Sequence, residues 1–90
     1  MTQVWKFSLE NKESQEFEMP LSYEILTLQL QNDIPVIWVK VEADNNWPKR
    51  RVVIETFMTG NEWYFTNCPR HYIGTYQLDG LVYHVFNKIV

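Results

Sequence analysis

A single cysteine, Cys68, rules out an internal disulfide and any multi-thiolate zinc site, and fits a reducing compartment. No stretch approaches the roughly 18 apolar residues of a membrane helix. The opening Met1-Thr2-Gln3-Val4-Trp5-Lys6 runs into strand-like sequence with no apolar signal core, so a cytoplasmic protein without membrane contact is expected. Helical patterning is missing as well. Nowhere do apolar residues recur at i, i+3, i+4 and i+7 over the roughly ten residues a helix requires. Gly-x-Ser-x-Gly, a phosphate-binding loop and His-Glu-x-x-His are all absent, and with them the usual signatures of an enzyme. Without repeats, linkers or low-complexity segments, residues 1–90 read as one domain.

What the chain has instead is alternation and aromatic rings. Runs of five to ten residues with period two, or fully apolar, predict strands at 5–9, 15–19, 25–31, 36–42, 50–59, 72–78 and 81–88, with a further short one at 62–66. The expected fold is therefore all-β, a compact antiparallel β-sandwich or partly closed barrel of about seven short strands. In 25–31 the alternation points Leu26, Leu28 and Leu30 inward. In 36–42 it points Ile37, Val39 and Val41 inward and Trp38 outward. Pro20 ends the second strand because it lacks a ladder donor. Asn32-Asp33 and Asp79-Gly80 are turns, and 50–59 is expected to return beside 36–42 as a meander. Its Val52, Ile54 and Met58 compete with Val53 and Phe57 for the interior, the pattern of a strand covered on both faces.

Four Trp, five Tyr and five Phe make the chain 16% aromatic. A domain this small buries only about 60 to 65% of its unfolded surface, so some rings must serve a surface, a ligand or a second copy. Trp63-Tyr64-Phe65 cannot all face one side of a strand, and these three with Trp38 are candidate interface residues for a host protein or for homo-oligomerisation.

Charge is divided along the chain. Residues 1–45 hold eight acids against Lys6, Lys12 and Lys40, whereas residues 46–90 hold Lys49, Arg50, Arg51, Arg70 and Lys88 against Glu55, Glu62 and Asp79. An overall charge of −3 suits general nucleic-acid binding poorly. A local anion site is a different matter. Trp47, Lys49, Arg50 and Arg51, joined by Arg70 and His71, could hold the phosphates and stack the base of a nucleotide-like molecule, because arginine grips phosphate bidentately and aromatic faces accept any base.

Cys68, His71 and His84 are the chain's only nitrogen or sulfur ligands for a transition metal. Cys68-x-x-His71 is not a zinc knuckle, and neither a metal nor a cofactor is expected. A Cys–His nucleophile pair has no accompanying motif. Glu55, Glu62 and Asp79 read as solvated strand charges, His84 as a strand residue bonding a neighbour, and His71 as the residue that opens a strand from a loop.

Several blocks in fixed order carry a resemblance. They are Trp5-Lys6-Phe7, Met19-Pro20, Ile25-Leu26 followed by Gln29 and Gln31, Trp38, Thr59-Gly60, His71-Tyr72-Ile73-Gly74-Thr75, and His84-Val85-Phe86. Through them the chain resembles a family of short tailed-phage and prophage proteins of uncharacterised function. One departure is Met58 where that family often has the first glycine of Gly-Thr-Gly. The resemblance implies a viral origin and a role in the cytoplasm of the infected bacterial host, and it transfers no functional residue. A non-catalytic protein that binds a host macromolecule, as in counter-defence, is the first expectation. An oligomer sequestering a nucleotide-like signal and a minor virion or assembly component are the alternatives.

Overall fold

Strand alternation decides which side chains meet, and here it is read out by two sheets. The computed structural model describes residues 1–44, 48–62 and 68–89. Among them are seven strands and no helix: β1 Thr2–Ser8, β2 Ser14–Pro20, β3 Tyr23–Gln31, β4 Ile34–Glu42, β5 Lys49–Met58, β6 Arg70–Leu78 and β7 Leu81–Lys88. All pairings are antiparallel, in one sheet ordered β1-β4-β3 and a second ordered β2-β5-β7-β6. The sheets do not close into a barrel, so the sandwich is the form the all-β expectation takes. The short strand expected at 62–66 lies, apart from Glu62, outside the described residues.

The core forms where the inward faces meet. Met19, Ile37, Val39, Ile54 and Val85 are fully buried, with Val41 and Val52 nearly so. At about 1.5–3 kcal/mol for each such side chain, this cluster is the main source of stability. Trp5 and Phe7 pack against it from β1, and Phe17 from β2. On β5 Val53 is buried on the face opposite Val52 and Ile54, but Lys49 and Arg51 on that outer face are exposed, so the strand is covered on both faces only near its middle.

Two expectations need correction. The meander does not form, because β4 already has β1 on one side and β3 on the other; β5 instead joins the second sheet between β2 and β7. Leu26 and Leu30 do not point inward but are 49% and 39% exposed. The ladder of β3 on β4 slips between Ile25 and Thr27, placing Leu26 in a β-bulge. One extra residue reverses the alternation, so Tyr23 and Ile25 before the bulge share the core face with Leu28 after it.

The hairpins are closed by matching two-residue turns, Asn32-Asp33 with φ of 52° and 63° and Asp79-Gly80 with φ of 53° and 79°. Positive φ at both positions suits the right-handed twist of the flanking strands. Edge strands β3 and β6 come together at Gly74, where a Cβ would stand 3.2 Å from both Cβ and Cδ2 of Leu28.

Candidate functional site

Three consecutive cations open β5, and the pleat separates them. Lys49 and Arg51 point to the outer face of the second sheet and meet Glu18 at 3.5 Å and Glu16 at 3.7 Å. Arg50 points the other way, beside the fully buried Met19. Its guanidinium lies 5.4 Å from the centre of the Tyr23 ring, a cation–π arrangement. Among the described residues no carboxylate lies within 4 Å of Arg50.

Arg50 lines a cleft of about 580 Å³ between the sheets, together with Tyr23, Leu26, His71, Ile73 and Asn87. The β6–β7 ladder also slips between Tyr72 and Gly74, so each facing edge strand carries a bulge beside this cleft. His71 sits directly across from Asn87 in the ladder. Asn87 donates from Nδ2 to the Tyr23 hydroxyl at 2.9 Å. One tyrosine thus supports Arg50 with its ring and Asn87 with its hydroxyl. The volume is of the size that small-molecule sites occupy, about 300–1,000 Å³.

The other expected residues lie elsewhere. Arg70 is on the outer face of β6, where Nε donates to Glu55 Oε1 at 2.6 Å, Nη2 to Oε2 at 3.4 Å and Nη1 to the Cys68 carbonyl at 3.1 Å. The side chains of this pair are only 6% and 13% exposed, so Glu55 is not the solvated strand charge its sequence context suggests. The hydrogen bond from Arg70 to Glu55 pushes the Arg70 pKa above the usual arginine value. Trp38 is half-buried on the outer face of the first sheet and donates from Nε1 to Gln29 at 2.8 Å. Trp47, Trp63, Tyr64 and Phe65 fall outside the described residues.

His84 is distant in role from the cleft. Its Nε2 contacts Thr59 Oγ1 at 2.6 Å and its Nδ1 contacts Thr75 Oγ1 at 3.1 Å. Thr75 in turn bonds the Tyr72 hydroxyl. Next to this chain Tyr72, Phe86 and Phe57 form an edge-to-face row on the outer sheet face. Among the described residues no group of three or more His, Cys, Asp or Glu could hold a metal ion, and no helix is long and apolar enough to cross a membrane.

Tyr23 and Asn87 escaped the sequence reading. Tyr23 lies two residues before the expected strand and shares the core face only because of the bulge. Asn87 did leave a signal: it continues the inward series Tyr83, Val85 with a polar side chain.

No curated protein and no solved structure matches the chain. The model of one family, described as a domain of unknown function (DUF7352), matches residues 1–90. End to end, the chain that builds this cleft belongs to the DUF7352 family.

Proposed function

We propose that this chain is a non-catalytic binding protein whose inter-sheet cleft takes a small planar anion of nucleotide-like chemistry, acting in the cytoplasm of a phage-infected bacterium. The observation that carries this reading is Arg50: it faces the cleft over the ring of Tyr23, while Lys49 and Arg51 face outward onto glutamates. A cation with no carboxylate within 4 Å among the described residues, next to an aromatic ring and in a concave site whose one lining carboxylate, Glu24, faces Lys40, is suited to an anionic group attached to a flat one. The non-catalytic reading draws on the two candidate bases having different surroundings, and on the absence of a motif that would activate Cys68. His71 lines the cleft, whereas His84 bonds two threonine hydroxyls on the outer face. The viral setting rests on the resemblance carried by His71 to Thr75 and His84 to Phe86.

Native mass spectrometry of the protein purified gently from infected cells tests the proposal. A retained mass on the order of several hundred daltons, lost in Arg50→Ala, is expected for a nucleotide-sized ligand. A bare chain in both proteins would contradict it.

A second reading, capture of a host macromolecule in counter-defence, is favoured by one observation. Tyr72 is 60% exposed at the end of its row with Phe86 and Phe57, and exposed aromatics of this kind anchor protein interfaces. A co-purifying host protein that is lost in Tyr72→Ala would favour this reading over the first.

A further inference from the structure

Among the described residues the two sheets end in four edge strands, β1 and β3 in the first and β2 and β6 in the second. The outer backbone groups of an edge strand pair with other chains unless something prevents it. Three of these edges carry a guard. β3 holds the bulge at Leu26, β6 slips between Tyr72 and Gly74, and the two strands approach each other at Gly74. On β2 the Glu13 carbonyl accepts from the Thr56 N–H, and the Leu21 N–H donates to the Pro48 carbonyl. Backbone direction alternates along an antiparallel pair, so Ser14, Glu16, Glu18 and Pro20 turn their main-chain groups outward. That edge shows a second copy two glutamates and a residue with no N–H to give.

β1 has no such guard. It pairs with β4 at every position from Thr2 to Ser8 without a slip, and contains neither proline nor glycine. The Met1 carbonyl accepts from the Ala43 N–H at 2.9 Å, and the Leu9 N–H donates to the Pro35 carbonyl at 2.8 Å. The odd residues of β1 therefore face β4, and the N–H and C=O groups of Thr2, Val4, Lys6 and Ser8 face the open edge. Among the described residues no backbone hydrogen bond from another segment reaches them. The one charged side chain of the strand, Lys6, leans back across β4 to donate to Gln31 Oε1 at 2.8 Å, away from the edge. Val4 is left 57% exposed and Met1 78%.

We propose that β1 is a self-pairing edge: the β1 strands of two copies of this chain run antiparallel about a twofold axis at Val4 and join two three-stranded sheets into one. In this register Val4 meets Val4 of the second copy, Thr2 meets Lys6, and the outward groups from Thr2 to Lys6 all find partners. On the inner face the exposed Met1 comes against Phe7 of the second copy. Charge selects the register. An axis at Lys6 sets two ammonium groups against each other, whereas an axis at Val4 points each Lys6 toward Thr2 of the second copy and, beyond it in the ladder, toward Glu42. Opposite signs thus lie along one row. β1 is at the far edge of the first sheet from β3, so this pairing leaves the cleft between β3 and β6 open and does not depend on it.

Sedimentation equilibrium of the full chain tests the proposal, with a dimer expected at a protein concentration of about 100 µM. Val4→Pro removes an N–H that points to the open edge and spares the ladder to β4, so it is expected to weaken the dimer at least about tenfold. Val4→Lys, which sets two ammonium groups at the axis of a still regular strand, is expected to do the same with an unchanged circular dichroism spectrum, and keeps the test sound should the proline variant fold poorly. A monomer at about 100 µM would overturn the proposal and leave the edge to a strand of a different protein. A dimer as tight in Val4→Lys as in the original would overturn it too. The register has its own readout in a Cys68→Ser background. Residues paired across an antiparallel ladder stand about 5.5 Å apart, within disulfide range, so Val4→Cys is expected to oxidise to a covalent dimer and Glu16→Cys on β2 to stay monomeric. Cross-linking through Glu16→Cys, or none through Val4→Cys, would refute pairing through β1.

Discussion

Glu55→Gln removes one charge and almost no volume, leaving the Arg70 guanidinium 6% exposed and without the carboxylate that meets two of its nitrogens. How much this costs depends on solvent access. An exposed pair is worth about 0–1 kcal/mol, whereas breaking a buried one costs about 3–5 kcal/mol because the survivor is stranded in low dielectric. Exposures of 6% and 13% place this pair in the second class. The expected loss is about 3 kcal/mol, the lower end, since glutamine can still accept one hydrogen bond and the site is not fully sealed. In a domain of this length that lowers Tm by roughly 12–24 °C. Urea unfolding followed by tryptophan fluorescence is the assay, read as a lower midpoint at unchanged slope. Replacing both partners, Glu55→Leu with Arg70→Met, is expected to return stability to within about 1 kcal/mol of the starting protein. A Glu55→Gln protein within about 0.5 kcal/mol of the original would refute the burial argument.

Other outcomes follow from single positions. Gly74→Ala puts a methyl 3.2 Å from Leu28 Cβ, and overpacking of this kind is expected to cost about 1–3 kcal/mol, partly recovered by Leu28→Ala in a double-mutant cycle. Asp33 holds φ of 63° in a turn that favours glycine, so Asp33→Gly is expected to raise stability by up to about 1 kcal/mol in urea unfolding. Tyr76 is buried, its hydroxyl has no hydrogen-bond partner among the described residues, and burial, with the neighbouring Tyr83 adding to it, raises its pKa. A raised native pKa means its contribution is complete below the unfolded value of about 10 and is lost as pH climbs through the native one. Tyr76→Phe is therefore expected to flatten the alkaline fall in stability above about pH 10, and to match or exceed the original at pH 7.

Local chemistry made much of this fold legible. Alternation placed Ile37, Val39 and Val41 on the core side and Trp38 outside, and Asp79-Gly80 announced its turn. The three cations of 49–51 were legible as a cluster, and the pleat divides any three consecutive strand residues; what was not legible is which face was the inner one, fixed by Arg50 pairing with the buried Met19. Long-range pairing was the hidden part. That β5 belongs to the second sheet follows from β1 and β3 occupying both sides of β4, a fact of topology and not of residues 50–59. The bulge at Leu26 is invisible in a strand that alternates well without it, yet it turns Tyr23 toward Arg50. Likewise Arg70 looked like a phosphate ligand until Glu55, fifteen residues earlier, was found against it.

The cleft itself is tested most directly by isothermal titration of the full chain against cyclic and NAD-derived nucleotides, with Arg50→Ala and Arg51→Ala alongside. At least one ligand is expected to bind at micromolar concentration, roughly tenfold or more weakly to Arg50→Ala and unchanged to Arg51→Ala, whose outward side chain already meets Glu16. Absence of heat across the panel, or equal binding by the Arg50→Ala protein, would contradict the account.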